Sequence, residues 1–394
     1  MTTTPPGHPL LQASYRPFFL AAMIHAVVIM MFWQIDYLQG HVLGSVYGVP
    51  GWHAHEMIFG FATAFLAGFL LHAARNWTGE PSMTGNALLA LTLLWMTGRF
   101  LHFFPDVIPA TLAGIPDLLF PLLLTALVAA PLIQHRASHA YALIELLVVL
   151  CVGAAITFWA VSGWLPDTNQ QGERLSLYAI ITLLVVLAGK LIPGFAEQTL
   201  GFEIRRQRYE GLIDNAAIAS LYLLMILLFV VSDGVLTALV GATAAIANLL
   251  RLKRWYFTEI WQHPMLWILY CGYAWISFGL ALTAAGMAGV LPMETGIHAL
   301  GIGGIGIFAA AMMSRVILSN AQGQKKTEDS WLVLGFILLN VSATAFALLP
   351  LLLPGMLQTW LLTAGMCWVV AFAIMIWRFF GPLMTPLNVG QQLS

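Results

Sequence analysis

Long apolar segments recur along almost the whole chain. A bilayer core requires about 20 consecutive apolar residues for each helix that crosses it. By that measure the sequence contains about twelve spans: 17–38, 53–74, 86–104, 107–133, 140–162, 175–195, 212–232, 234–250, 264–286, 295–318, 330–350 and 356–380. Only 8% of the residues are charged and 60% are hydrophobic, whereas soluble proteins average roughly 25% charged residues. The sequence therefore predicts an all-α polytopic membrane protein.

The connections between these spans are short, so no soluble domain is expected. We predict one transmembrane helical domain over residues 1–394, with a short tail at residues 1–16 and spans over residues 17–380. If the first span begins inside the cell, all 16 Lys and Arg residues except Arg99, near an outer span end, and Arg174, in an outer loop, fall at inner loops or inner span ends. This asymmetry follows the positive-inside rule and predicts that both termini are cytoplasmic.

Composition and targeting features exclude several classes of protein. The net charge of −1 offers no basic surface for nucleic acid. Cys151, Cys271 and Cys367 lie far apart in three apolar runs, which excludes a CxxC knuckle, a c-type haem attachment motif and a local iron–sulfur motif. The N-terminus has no basic region typical of a cleavable signal, so we expect the first apolar run to remain as a helix.

The second span begins with two histidines and an acid, in the segment WHAHEMIFG over residues 52–60. On a regular helix His53 and His55 point about 200° apart, so both cannot bind one metal there unless the backbone departs from the α-helix. His53 and Glu56 share a face, and Glu56 could orient His53 as a metal ligand. The pattern is not HExxH, so a zinc protease is disfavoured. Two histidines and an acid that simply face water remain the alternative.

The ninth and tenth spans also open with a histidine. His263 shares a helix face with Trp267 and Tyr270, an arrangement that suits a flat cofactor or, equally, an interfacial aromatic belt. His298 precedes a segment that matches GxGxxG by letter, over residues 301–306. No strand precedes it, so we exclude a dinucleotide site and expect the glycines to allow close approach of a helix or a planar ligand.

Few charged residues fall inside the predicted spans. Arg99 could pair with a protein carboxylate or a ligand propionate, or its side chain could reach toward the interface. Asp117, Glu145 and Glu197 are the acids that could deliver protons. His25 has no acid at helical spacing, and we interpret it as a buried histidine whose hydrogen bonds are satisfied.

Several of these segments, in order and spacing, resemble the NnrS family of bacterial membrane proteins. The segments are YRPFFL at 15–20, WHAHEMIFG at 52–60, NWTG at 76–79, IPGF at 192–195, and His298-Ala299 with the glycine-rich span that ends in MMSRV at 312–316. The resemblance covers about residues 15 to 320. It implies a twelve-helix protein of the bacterial inner membrane, containing haem and copper and associated with denitrification and nitric-oxide stress.

Given that resemblance, we expect a haem-b protein that binds or reduces nitric oxide, and therefore an oxidoreductase. His53 or His55, together with His298, are the expected haem ligands, and Arg99 is the expected partner of the propionates. His263 would serve a second metal site or a proton path. Glu56, Trp267 and Tyr270 would support the bound metal or take part in a proton path, and copper is a second cofactor to expect. Electrons would come from a quinol or a partner protein. The alternatives are a transporter or metal-handling permease without redox turnover, and a haem-binding sensor or assembly factor.

Overall fold

A computed structural model describes residues 7–39, 48–104, 106–165, 168–201, 210–231, 233–321 and 329–387. Within these ranges the chain is helical and contains no β-strand. The described residues form twelve long helices in chain order: Tyr15–Leu38 (α1); Gly48–His55, Glu56–Ala62 and Thr63–Thr78 in succession (α2); Gly85–Leu101 (α3); Ala110–Gln134 (α4); Tyr141–Val161 (α5); Asn169–Leu200 (α6); Glu210–Val230 (α7); Val235–Trp255 (α8); Pro264–Met287 (α9); Met293–His298, Ala299–Gly306 and Ile307–Asn320 in succession (α10); Ser330–Ala347 (α11); and Leu357–Met384 (α12).

The predicted spans and the helices agree one for one, including the separation of α7 from α8. Eleven of the helices are long and apolar enough to cross a membrane. The exception is α3, which has 17 residues. The chain is therefore a multi-pass membrane protein. The basic loops at 202–209 and 322–328, on which the predicted orientation partly rests, lie outside the described residues, and the orientation stays a prediction.

The helices group into two compact units. The first contains the described residues up to Ser176 with residues 313–321 and 372–387, and the second contains Leu177–Met312 and residues 329–371, as far as they are described. Each unit has its own core of large, fully buried rings. Those of the first unit include Phe18, Phe19, Phe61, Phe65 and Phe372; those of the second include Tyr178, Tyr273, Phe308, Phe336 and Trp368.

A buried arginine joins the start of α1 to the C-terminal end of α12 inside the first unit. The Arg16 Nη1 atom donates hydrogen bonds to the carbonyl oxygens of Pro9 (3.0 Å), Leu383 (3.1 Å) and Thr385 (2.7 Å). The last carbonyls of a helix have no partner within the helix, so this guanidinium satisfies the C-terminal end of α12. Arg16 therefore has a structural role.

The second unit contains a buried arginine with hydrogen-bond partners on three other helices. The Arg251 Nε atom donates to Asp214 Oδ1 (2.6 Å), and its Nη1 atom donates to the Tyr273 hydroxyl (2.7 Å) and to the carbonyl of Val185 (3.3 Å). The Tyr273 hydroxyl in turn donates to Asn248 Oδ1 at 2.5 Å. A buried charge of this kind is tolerated because it is paired and hydrogen-bonded.

Two of the helices contain a π-helical segment, Glu56–Ala62 in α2 and Ala299–Gly306 in α10. A π segment inserts one residue into the helical repeat and often lies at a functional site. In α2 it begins directly after His55. The side chains that follow therefore point in directions different from those that a regular α-helix would give them.

Candidate functional site

Six polar side chains that are at least nine-tenths buried meet in the first unit. They are His25 from α1, His55 and Glu56 from α2, Arg99 from α3, His102 directly after α3, and Asp117 from α4. Ionisable side chains inside a membrane protein are costly unless they are paired, and they commonly mark functional sites. We call these six residues the polar cluster.

Two ion pairs form the centre of the polar cluster. The Arg99 Nη1 atom donates to Glu56 Oε2 at 2.8 Å, and its Nη2 atom donates to Asp117 Oδ1. One guanidinium therefore connects the carboxylates of α2 and α4. Charge-assisted hydrogen bonds of this kind hold side chains in a defined geometry.

Three histidines surround the two carboxylates. The His25 Nε2 atom lies 3.1 Å from both the carbonyl and the Oε2 of Glu56, so it carries the proton and donates. The His55 Nε2 atom lies 2.8 Å from Asp117 Oδ2, and the His102 Nε2 atom lies 3.4 Å from the same oxygen. The His55 and His102 rings are 5.0 Å apart. Asp117 is thus shared by both histidines and Arg99.

Glycines allow the helices to approach closely at two points of the cluster. A side chain at Gly60, in the π segment, would collide with the His25 ring. A side chain at Gly98 would lie 2.6 Å from Asp117 Oδ1. The Gly60 carbonyl accepts a hydrogen bond from Trp95 Nε1 at 3.1 Å. Both glycines are therefore required by the cluster, because packing this close leaves no room for even a methyl group.

The polar cluster is not electrically balanced by its own residues. With the three histidines neutral, the two carboxylates against one guanidinium leave a formal charge of −1. In addition, Glu56 Oε1 is buried and has no hydrogen-bond partner in the described part of the chain. Uncompensated charge in a low-dielectric interior is strongly disfavoured, so the site has the electrostatic character of a cation or proton site.

A small cavity adjoins the polar cluster. It is lined by the polar residues His55, Asp117 and Thr157 and by Phe59, Gly114, Ala154 and Phe158. Its volume is about 10 Å³, about the space that one water-sized molecule requires. Cofactor and drug pockets measure roughly 300–1,000 Å³, so this cavity does not fit a porphyrin. The residues present fit a single ion and a very small ligand.

The cluster unites four residues that the sequence singled out for separate reasons: His55, Glu56, Arg99 and Asp117. His53 does not join them; its ring lies against Trp33, with a centroid distance of 5.1 Å.

Sequence reasoning missed two members, His25 and His102. His102 lies three residues after Arg99, one helical turn away, and that spacing was the signal for it. His25 carries no comparable signal, because its partner Glu56 comes from another helix.

The remaining predicted residues lie elsewhere. Glu145 is exposed on α5. In the second unit, Glu197 and His263 are half-buried, Trp267 stacks on Trp261, and the Tyr270 hydroxyl donates to the carbonyl of Trp255 at 2.5 Å.

His298 also belongs to the second unit. Its ring stacks on Phe346 at a centroid distance of 3.8 Å, and its Nδ1 atom is 2.8 Å from the carbonyl of Glu294. The roles suggested for these residues stay predictions, as does the pairing of His298 with His53 or His55 at a haem.

Comparison with known proteins places the chain in a family. No curated protein matches it. A family model described as NnrS protein matches residues 9–386, which is nearly the whole chain. The match includes every residue of the polar cluster and both π segments. The chain therefore belongs to the NnrS family.

Proposed function

We propose that this protein binds nitric oxide within the membrane, in the cavity beside the polar cluster, and takes part in the reduction or detoxification of the gas in a bacterial inner membrane. Membership of the NnrS family supports a role related to nitric oxide. The multi-pass helices support a site inside the bilayer. The buried, ionisable residues of the polar cluster support chemistry there, since such residues are otherwise avoided in membrane spans.

The cavity is the observation that carries this proposal. Its volume of about 10 Å³ is about the space that one water-sized molecule requires, so only a very small solute such as a diatomic gas is a candidate for it. Its wall combines ligand-type atoms of His55 and Asp117 with the apolar surfaces of Phe59, Ala154 and Phe158. Nitric oxide is a small gas of low polarity that dissolves readily in lipid, so a membrane-buried chamber with one polar wall suits it.

Reduction of nitric oxide to nitrous oxide consumes one proton and one electron for each molecule of nitric oxide. Within the polar cluster, the His25, Glu56, Arg99 and Asp117 side chains form a continuous series of hydrogen bonds. Arg99 stays protonated and connects the two carboxylates, while the carboxylates and the histidines beside them are groups that can hold and transfer protons inside the membrane. A quinol or a partner protein remains the proposed source of electrons. Copper or iron bound to imidazole would supply the redox chemistry, and haem b, which the cavity does not fit, would lie elsewhere in the protein.

A cavity-filling variant tests the proposal. In Ala154→Leu the added methyl groups occupy the cavity without removing any member of the polar cluster. We expect binding and reductant-driven consumption of nitric oxide, measured with a gas electrode on protein in nanodiscs, to fall at least about tenfold, which corresponds to about 1.4 kcal/mol of lost binding. Val152→Leu, at an exposed position of the same helix, is the matched control and should behave as the wild type.

Equal activity in Ala154→Leu and the wild type would contradict the proposed site. A protein that moves a solute across vesicles and neither binds nor consumes nitric oxide would support the permease instead. The buried ion pairs are the observation that supports this permease as a second candidate, because paired charges in membrane spans also mark ion and substrate paths.

A further inference from the structure

We infer that His55, His102 and Asp117 hold one non-haem metal ion, and that the donor set selects iron(II). One ligand atom from each of these three residues lies within 4.8 Å of the others. This inference adds a metal ion to the site of the proposed function. It depends on that function only for the statement that the gas bound there is nitric oxide. The ion itself can be tested without nitric oxide.

The distances between the ligand atoms are close to those around a bound ion. The Asp117 Oδ2 atom lies 2.8 Å from His55 Nε2 and 3.4 Å from His102 Nε2. Nitrogen and oxygen ligands lie about 2.0–2.2 Å from such an ion, which places neighbouring ligands about 3.0–3.5 Å apart. The two distances to Asp117 are close to that range, and the separation of the His55 and His102 ligand atoms, which is at most 4.8 Å, would adjust when an ion binds.

The hydrogen bonds around His102 orient it as a metal ligand. The carbonyl of Gly98 lies 2.6 Å from His102 Nδ1, and a carbonyl only accepts, so Nδ1 carries the proton and donates. The neutral ring then directs the lone pair of its Nε2 atom toward the Asp117 carboxylate, another acceptor. Two acceptors facing each other repel unless a cation lies between them. Metal-bound histidines typically donate their other N–H in this way.

Arg99 orients the carboxylate. Its Nη2 atom donates to Asp117 Oδ1, which leaves Oδ2, the oxygen nearest both histidines, to bind the ion through one atom. The Glu56 carboxylate neutralises the other end of the guanidinium. A cation at this position also offsets the excess negative charge of the polar cluster. The cluster is therefore organised around the position that the ion would occupy.

The nature and number of the donors indicate the metal. Two histidines and one carboxylate, with coordination positions left open, are typical of non-haem iron(II) sites. The cavity adjoins two of the three ligands, His55 and Asp117, so a small molecule in it can reach an open position on the ion. No thiolate or thioether belongs to the set, which disfavours a site for copper(I).

The experiment is metal analysis of the full-length protein, purified anaerobically, with haem quantified separately. We expect one non-haem iron per chain in the wild type and in the control variant His135→Gln, which removes an imidazole outside the cluster. His55→Gln, His102→Gln and Asp117→Asn should each lose that iron, whereas Asp117→Glu should retain part of it. Size-exclusion chromatography checks that each variant is folded.

Should the variants fail to fold, X-ray absorption at the iron edge of the wild-type protein decides the question. Two imidazoles and further nitrogen or oxygen ligands at a non-haem iron would support the inference. Absence of non-haem iron, its retention in the three ligand variants, or copper or zinc at the site in its place would overturn it. Iron at the site that does not react with nitric oxide would leave this inference standing and contradict the proposed function.

Discussion

The two π segments use the same backbone feature for different purposes. In α2 the segment Glu56–Ala62 follows His55, and in α10 the segment Ala299–Gly306 follows His298. In each, a glycine makes room for a large ring: Gly60 faces the imidazole of His25, and Gly303 faces the indole of Trp275. The backbone alone therefore does not distinguish a chemical site from a packing site.

The side chains from neighbouring helices make the difference. Around the α2 segment they include the ionisable Arg99, His102 and Asp117 as well as the aromatic Trp95. Around the α10 segment they are aromatic: Trp275 and Trp368 fill the space at the glycines, and His298 itself stacks on Phe346. The comparison indicates that α2 carries the chemistry, while the α10 segment as described is a packing element with one histidine at its start.

The largest effect is expected from Asp117→Asn. This change removes the charge that pairs with Arg99 and faces two histidines. Arg99 keeps Glu56 as its partner, but the change weakens the charge-assisted hydrogen bonds of Asp117 to Arg99 and His55, each worth about 1.5–3 kcal/mol, so we expect a large decrease in the free energy of unfolding, measured by denaturant titration in detergent. Asp106→Asn, at an exposed position, should change it by less than about 0.5 kcal/mol. Equal stability of both variants would mean that the ion pair is not formed.

Alanine at the π-segment glycines separates the two segments most directly. Gly60→Ala and Gly303→Ala both introduce a buried collision and should each destabilise the protein by about 1–3 kcal/mol. Only Gly60→Ala displaces His25 from the polar cluster, so only that variant should impair nitric-oxide binding. Gly301→Ala, which meets no neighbouring atom, is the control. Loss of gas binding in Gly303→Ala would assign chemistry to the second unit as well.

His298→Ala tests whether the α10 segment has a chemical role after all. Loss of the ring stacked on Phe346 should cost about 0.5–1.5 kcal/mol beyond the lost burial. If His298 is a haem ligand, as the sequence suggested, the visible haem band of purified protein should largely disappear in this variant. A haem band of wild-type intensity would rule out that ligation.

The smallest effect is expected from His135→Ala. His135 pairs with Glu80 at 2.9 Å, and both side chains are more than one-third exposed. Surface pairs of this kind contribute about 0–1 kcal/mol. Thermal unfolding, the haem band and nitric-oxide consumption should all remain close to wild type. A strong loss of any of them would extend the functional region beyond the polar cluster.

The fold was largely predictable because the thickness of the bilayer requires about 20 apolar residues in each membrane helix, and such runs can be recognised in the sequence. The site was predictable only in part. His55, Glu56, Arg99 and Asp117 could be named because charges in apolar spans are rare, but nothing in the sequence showed that they converge. Their convergence depends on helix packing, on the close approach allowed at Gly98 and on the register change of the π segment.

The most direct test of the central claim is the infrared spectrum of reduced protein exposed to nitric oxide. A bound molecule gives an N–O stretching band that shifts when ¹⁵NO replaces ¹⁴NO. The account predicts such a band in the wild type, a much weaker band in Ala154→Leu, where the larger side chain fills the cavity, and its loss in His102→Gln. A band that is unchanged in both variants would place nitric oxide elsewhere in the protein and contradict the account.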